Sequence, residues 1–170
     1  MDLENEEFRL FTEHAIRNDL RYMVIGGFAM YLNGLARNTE DVDIWIEPTT
    51  LNGQRFIHTL LGMGYTDDEL DQVKALDFTQ PQVFGLNNYL DILTVVHRKF
   101  DRSAPRFEEC FQRSRSVQNQ YGNTIHFLHL NDLREQKIVA RRPQDLRDIV
   151  MIDDFLKIAN KQDQGESDDQ

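Results

Sequence analysis

Cysteine is nearly absent from the sequence, since Cys110 is the single one in 170 residues. One thiol cannot form an internal disulfide, which excludes a disulfide-stapled fold. Its neighbours Glu108, Glu109 and Phe111 provide no positive charge that would stabilise a thiolate. We therefore expect Cys110 to be a buried packing residue.

Long hydrophobic runs are also missing. No stretch approaches the roughly 20 apolar residues that a membrane-spanning helix needs. Residues 1–7 are acidic, opposite in character to the start of a secretory signal. We expect a cytoplasmic protein with no membrane partner. The length and the 40% content of hydrophobic residues suit one domain over residues 1–161, followed by an acidic, disordered tail over 162–170.

Positive charge is scarce in the first part of the chain. Residues 1–97 hold 6 Lys and Arg against 16 Asp and Glu, whereas residues 98–147 hold 11 against 6. The formal net charge of −10 argues against indiscriminate binding to nucleic acid backbones. The uneven distribution suits a metal bound on one side of a cleft and phosphates held from the other, although solvated charged faces explain it equally well.

Hydrophobic spacing predicts an α/β (α+β) fold, in which a mixed sheet carries flanking helices and ends in a short C-terminal helical pair. Residues 67–76 fit either a helix or a mobile insertion. Helices are expected at 3–18, 28–32, 51–61, 104–112, 131–141 and from 143 onward, and strands at 21–25, 42–46, 82–86, 90–96, 116–120 and 124–128. An apolar stripe on the last helix is expected to consist of Leu146, Ile149, Ile152, Leu156 and Ala159.

Acidic side chains stand at positions where a sheet is expected. Asp41 and Asp43 have the i, i+2 spacing that places side chains on one face of a strand. Two such anions repel each other unless a cation lies between them, although solvation at a strand edge explains the pair equally well. Asp91 lies within another strand-like run. Three acids on two strands indicate hard-metal phosphoryl chemistry.

A double glycine precedes these acids. Gly26 and Gly27 lie between a strand and a helix, where the missing side chains would let a phosphate approach backbone N–H groups. A plain tight turn is the alternative. No P-loop, no Ser-His-Asp signature and no zinc-ligand spacing is present, and His97 is the one histidine near a possible acceptor.

In the order of these motifs the chain resembles the nucleotidyltransferase superfamily, which has the DNA polymerase β-like fold. It is most similar to the small bacterial single-domain branch related to toxin–antitoxin and aminoglycoside nucleotidyltransferases. Residues 24–27 match the hydrophobic-Gly-Gly/Ser motif, residues 37–44 the Arg-x-Thr-x-Asp-x-Asp segment, and Asp91 the third carboxylate. Residues 133–137 and 142–149 resemble the C-terminal lysine and Asp-x-x-Asp signature. The resemblance covers residues 20 to about 155.

The resemblance implies a Mg²⁺-dependent enzyme that transfers a nucleoside monophosphate from an NTP, such as ATP, to a hydroxyl and releases pyrophosphate. RNA or protein is favoured over a small molecule as acceptor, and a cognate partner protein is implied by the toxin–antitoxin members. The alternative is a catalytically silent module that binds a nucleotide or a partner. The implied catalytic ligands of two Mg²⁺ ions are Asp41, Asp43 and Asp91, and the implied nucleotide-binding residues are Gly26, Gly27, Arg37, Thr39 and Lys137.

Several of these residues admit a second role. Lys137 could contact the phosphates or could pack its stem on the core with a solvated ammonium. Arg37 could meet phosphate or anchor an acid such as Asp43 or Asp145. Asp145 and Asp148 are expected to cap the last helix or to clamp Arg141. Gly27 departs from the serine that many active members use, so backbone contacts must hold the terminal phosphates.

Overall fold

The computed structural model describes residues 5–86, 89–94 and 106–165, with side chains as far as residue 159. Within these residues the chain forms a mixed sheet and helices, so the predicted α+β class is confirmed. The helices are α1 (Glu6–Arg17), α2 (Gly26–Leu32), α3 (Thr50–Gly62), α4 (Asp71–Lys74), α5 (Phe107–Arg113), α6 (Leu130–Ala140) and α7 (Pro143–Gly165). The strands are β1 (Tyr22–Ile25), β2 (Val42–Ile46), β3 (Val83–Gly85), β4 (Leu90–Leu93), β5 (Arg115–Gln118) and β6 (Thr124–Phe127).

One six-stranded sheet has the order β3-β4-β2-β1-β6-β5. Strand β2 runs antiparallel to β1 and parallel to β4, and β1 runs parallel to β6. The outer strands β3 and β5 each pair antiparallel with their inner neighbour. Every residue of β1 is buried, as is every residue of β2 except Asp43. Because successive side chains of a strand point to opposite faces, the centre of the sheet is covered on both sides.

Helix α1 covers part of the sheet because its apolar residues recur at helical spacing. The side chain of Asn5 accepts hydrogen bonds from the Glu7 and Phe8 amides and caps the helix. Phe8 packs edge-on against Phe28 of α2, and Phe11 packs edge-on against Tyr22 of β1, with ring centroids 5.6 and 5.1 Å apart. These contacts place α1 against the β1–α2 unit that leads into the double glycine.

Helix α3 is tied to the sheet by a buried polar side chain, Asn52. Its Oδ1 accepts a hydrogen bond from the Arg21 amide at 2.9 Å, and its Nδ2 donates to the carbonyls of Arg21 and Glu47 at 2.9 and 3.1 Å. Arg21 precedes β1 and Glu47 follows β2, so Asn52 joins the end of this strand pair that is distant from Asp43. Thr49 caps α3, because its side chain accepts a hydrogen bond from the Asn52 amide.

The structure differs from the predicted elements in three places. Residues 67–76 form turns around the four-residue α4, which is too short to have a predictable period. The backbone of α7 continues to Gly165, through the first four residues of the predicted tail. Leu146 is 55% exposed and does not belong to the buried face of α7, where Ile152 is fully buried.

Other predictions are settled or fall outside the described residues. Cys110 is buried, as predicted, and burial raises the pKa of its thiol to about 12. Among the helices of the described ranges, none combines the length and the apolar character that crossing a membrane demands. The turn at 87–88, residues 95–96, His97 and the start of the predicted helix at 104–105 lie outside the described residues.

Replacement of Asn52 by alanine is expected to lower the free energy of unfolding by about 2 to 3 kcal/mol. The change removes the partners of three backbone groups at a buried site, and each unsatisfied group costs about 1 kcal/mol or more. Urea denaturation followed by circular dichroism measures the loss. Gln54→Ala, on the exposed side of the same helix, is the matched control and is expected to change stability by less than about 0.5 kcal/mol. Equal losses in both variants would contradict the role of Asn52.

Candidate functional site

The register of the central strands brings two acids together. In the parallel pair of β2 and β4, Asp43 lies opposite Asp91, and in the antiparallel pair of β1 and β2, Asp43 lies opposite Ile25. Asp43 and Asp91 are both half-buried. Strand β4 has β3 on its other side, so Asp91 does not lie on an edge strand.

Gly26 and Gly27 make room for side chains of the site itself. Gly26 has a φ of +64°, and a Cβ there would overlap the carboxylate of Asp43, whose Cγ would lie 2.9 Å away. A Cβ on Gly27 would lie 2.9 Å from Cβ of Thr39. Both residues therefore need to be glycine before any ligand is considered, and the predicted approach of a phosphate stays a prediction.

Asp41 lies just outside the sheet. Strand β2 begins at Val42, so the i, i+2 argument that placed Asp41 and Asp43 on one strand face does not hold. The exposed Asp41 carboxylate instead accepts a hydrogen bond from Thr39 Oγ1, at 2.7 Å from Oδ1. In the part of the chain that the structure describes, no three Asp, Glu, His or Cys side chains gather as a ready-made metal site.

Electrostatics around Asp43 nevertheless suit a cation. The pKa of Asp43 is raised to about 6, chiefly by burial and further by the negative charges of Asp41 and Asp91. Arg142 and Lys137 act in the opposite direction and lower it. Carboxylate oxygens are the ligands that Mg²⁺ prefers, and a cation among these acids would relieve their repulsion. The donor set therefore fits Mg²⁺, although Asp41 is turned toward Thr39.

Lys137 belongs to a second, buried cluster at the α6–α7 junction. Its Nζ lies 2.6 Å from Asp148 Oδ2 and 3.3 Å from Asp145 Oδ1. All three residues are buried. The contact with Asp145 is a hydrogen bond, whereas that with Asp148 is an ion pair whose angles do not satisfy a hydrogen bond. Lys137 therefore has two anionic partners, which neither of its two predicted roles included.

Two arginines complete this cluster. Arg37 Nε donates to Asp148 Oδ1 at 2.9 Å, so Arg37 does anchor an acid, but that acid is neither Asp43 nor Asp145. Arg142 donates from Nε and Nη2 to the two oxygens of Asp145, at 2.8 and 3.1 Å, and its amide donates to Oδ2 at 3.0 Å.

Of the two roles predicted for Asp145, the clamp on Arg141 is wrong, because Asp145 holds Arg142 instead. The cap is confirmed, because Asp145 accepts a hydrogen bond from the amide of Arg142, the residue before α7. Arg141 ends α6 in the left-handed conformation, with φ of +53°, and is exposed. Hydrogen bonds with Asp145 raise the pKa of Arg142. Burial would raise the pKa of Asp145, but hydrogen bonds from Arg142 prevail and lower it. Sequence reasoning missed Arg142 as a site residue, although its i, i+3 spacing to Asp145 at a helix start was a usable signal.

Comparison with known proteins adds no relative. No protein-family model matches the chain, and no curated protein is significantly similar to it. The resemblance to nucleotidyltransferases therefore rests on the sequence motifs alone.

Replacing Gly26 by alanine is expected to destabilise the protein more than the same change at Gly122. Both glycines have positive φ, +64° and +80°, so both variants incur backbone strain of about 1 to 2 kcal/mol. A Cβ at Gly122 meets nothing within 4 Å, whereas a Cβ at Gly26 overlaps Asp43 and adds about 1 to 3 kcal/mol. Urea denaturation measures both losses, and equal values would disprove the close approach of Asp43.

Asp43→Asn is expected to stabilise the protein at neutral pH when no divalent cation is present. The folded-state pKa of about 6 exceeds the ordinary value of 3.8, so the ionised carboxylate destabilises the fold above pH 6 and does not below pH 4. A shift of about two units at about 1.36 kcal/mol each gives a gain of about 2 to 3 kcal/mol at pH 8, which vanishes near pH 4. Denaturation in a chelating buffer at both pH values measures it. A gain that is independent of pH would contradict the raised pKa.

Proposed function

We propose that the protein is a Mg²⁺-dependent nucleotidyltransferase, which transfers a nucleoside monophosphate from an NTP to a hydroxyl and releases pyrophosphate. The observation that carries the proposal is the register of Asp43 opposite Asp91. It aligns two half-buried acids beside the backbone of Gly26, with Asp41 just ahead of them. Cytoplasmic location and ATP as the donor belong to the same proposal.

The proposed roles follow from the chemistry of each side chain. Asp43 and Asp91, with Asp41 after it releases Thr39, supply carboxylate oxygens for two Mg²⁺ ions. When bound there, Mg²⁺ would neutralise phosphate charge and would lower the pKa of the attacking hydroxyl. The hydroxyl oxygen forms a bond to the α-phosphorus while the bond from that phosphorus to the β-phosphate oxygen breaks. The hydroxyl proton passes to a carboxylate, for which Asp91 is the candidate.

Positive charge beside these acids would hold the donor. Lys137 and Arg142 lie near enough to Asp43 to lower its pKa. A polyphosphate suits such a site, because its negative charge can pair with the cationic side chains and with a metal held by carboxylates. A macromolecular acceptor, RNA or a partner protein, belongs to the same proposal.

Two observations favour a second candidate function. The hydrogen bond from Thr39 to Asp41, and the lack of a ready-made metal cluster among the described residues, are compatible with a silent module that binds a nucleotide or a partner without turnover. The two functions differ in whether the loss of the acids abolishes activity.

Incubation with each α-labelled NTP, Mg²⁺ and either total RNA or extract protein tests the proposal. The wild type is expected to transfer label, and the Asp41→Asn/Asp43→Asn variant is expected to lose at least about 10³-fold, since metal ions supply several kcal/mol of transition-state stabilisation. Asp68→Asn removes an exposed carboxylate before α4 and is the matched control, expected to retain full transfer.

Two results would contradict the proposal. Transfer that persists in the double variant would show that these acids are not the catalytic ligands. Binding of Mg·NTP by the wild type in calorimetry, without transfer to either kind of acceptor, would favour the silent module.

A further inference from the structure

Arg142 combines exposure with a fixed position. Its side chain is 70% exposed, although it lies at the edge of a cluster whose other members are mostly buried. Arg37, two residues before the Thr39 that donates to Asp41, pairs with Asp148. Lys137 bridges Asp148 and the Asp145 that holds Arg142, so the guanidinium belongs to a side-chain network that reaches the segment carrying Asp41. An exposed cation beside the candidate metal ligands can reach a molecule that binds there.

Asp145 holds the guanidinium in one orientation. Two parallel hydrogen bonds, from Nε and Nη2, fix the plane of the group, and Asp145 is itself fully buried. Such a fork-to-fork pair removes much of the rotational freedom of an arginine. Within the described ranges, Nη1 has no hydrogen-bond partner. The Nη1 donor is therefore held in a fixed orientation and is available to a ligand.

The other cations near the site are already committed. The side chain of Lys137 is 6% exposed, and its ammonium contacts both Asp145 and Asp148. Arg37 is 18% exposed and donates to Asp148. Moving either charge onto a phosphate would take one of its two cationic partners from the buried Asp148, which is unfavourable because that carboxylate is desolvated. Arg142 can contact a phosphate through Nη1 without releasing Asp145.

We propose that Arg142, rather than Lys137, is the side chain that contacts the β- and γ-phosphates of the nucleotide. The inference rests on the proposed function, because it assigns a contact for the substrate of that site. Lys137 then stays buried and neutralises Asp145 and Asp148. These are the two aspartates that hold Arg142 and Arg37. A guanidinium suits this task because its planar fork can serve a carboxylate and a phosphate at once.

Nucleotide binding measured by calorimetry with Mg²⁺ tests the assignment without any acceptor. The probes are a non-hydrolysable α,β-methylene NTP of each base, inorganic tripolyphosphate and the nucleoside monophosphates. Arg142→Gln is expected to weaken the binding of both triphosphate probes about tenfold or more, the effect of one charge-assisted hydrogen bond, and to change monophosphate binding less than about twofold. Arg142→Lys is expected to restore part of the lost affinity.

Arg141→Gln is the matched control, since it removes the same charge from the exposed neighbouring residue. It is expected to leave all affinities within about twofold of the wild type. Thermal melting establishes that each variant is folded. If Arg142→Gln fails to fold, Arg142→Lys and Arg141→Lys provide the same comparison, because loss of the planar fork at residue 142 alone should still weaken triphosphate binding.

The outcomes separate the inference from the proposed function. Triphosphate affinity that falls in Arg142→Gln and not in Arg141→Gln supports the assignment. Unchanged affinity in Arg142→Gln, or an equal fall in both variants, overturns it and leaves the proposed function standing. A wild type that binds neither triphosphate probe in the presence of Mg²⁺ overturns both.

Discussion

The close approach of the Asp43 carboxylate to the backbone at Gly26 is the constraint on which the rest of the site depends. The antiparallel register of β1 and β2 places the two residues side by side, and a Cβ at Gly26 would occupy the space of the carboxylate. The parallel register of β2 and β4 then fixes Asp91 next to the same group. Because β2 is central and its other residues are buried, the backbone of Asp43 cannot shift without disturbing the core.

Charge balance explains why a basic cluster adjoins the acids. Asp43 lies where burial and two other acids oppose its ionisation, and Arg142 and Lys137 offset part of that effect. The same two cations are held by the buried Asp145, so the positive charge is fixed in place and also partly neutralised. A buried cluster of this kind contributes little net stability, because desolvation offsets attraction. Its physical effect is to define where the exposed guanidinium of Arg142 stands.

Much of the fold could be predicted from the sequence, and the reasons for the remainder are physical. The strand with Asp91 was recognisable because an acid interrupts an apolar run, and the glycines because they separate a strand from a helix. The direction in which the Asp41 side chain points was not predictable, because β2 begins one residue later and side-chain alternation applies only within a strand. The partner of Arg37 was not predictable either. Residues 37 and 148 meet only through tertiary packing of α7, which no local period encodes.

The hydrogen bond between Thr39 and Asp41 distinguishes the three acids by their freedom to move. Asp43 and Asp91 are fixed by strand register, whereas Asp41 lies outside the strand, is exposed and is held by one hydroxyl. Exchange of that neutral hydrogen bond for a cation is inexpensive, since its net worth is about 1 kcal/mol. Asp41 can therefore stay hydrogen-bonded to Thr39 while no cation is present and, in the proposed function, turn toward a cation that arrives with the nucleotide. Such an arrangement limits the repulsion that three converged carboxylates would impose on the fold.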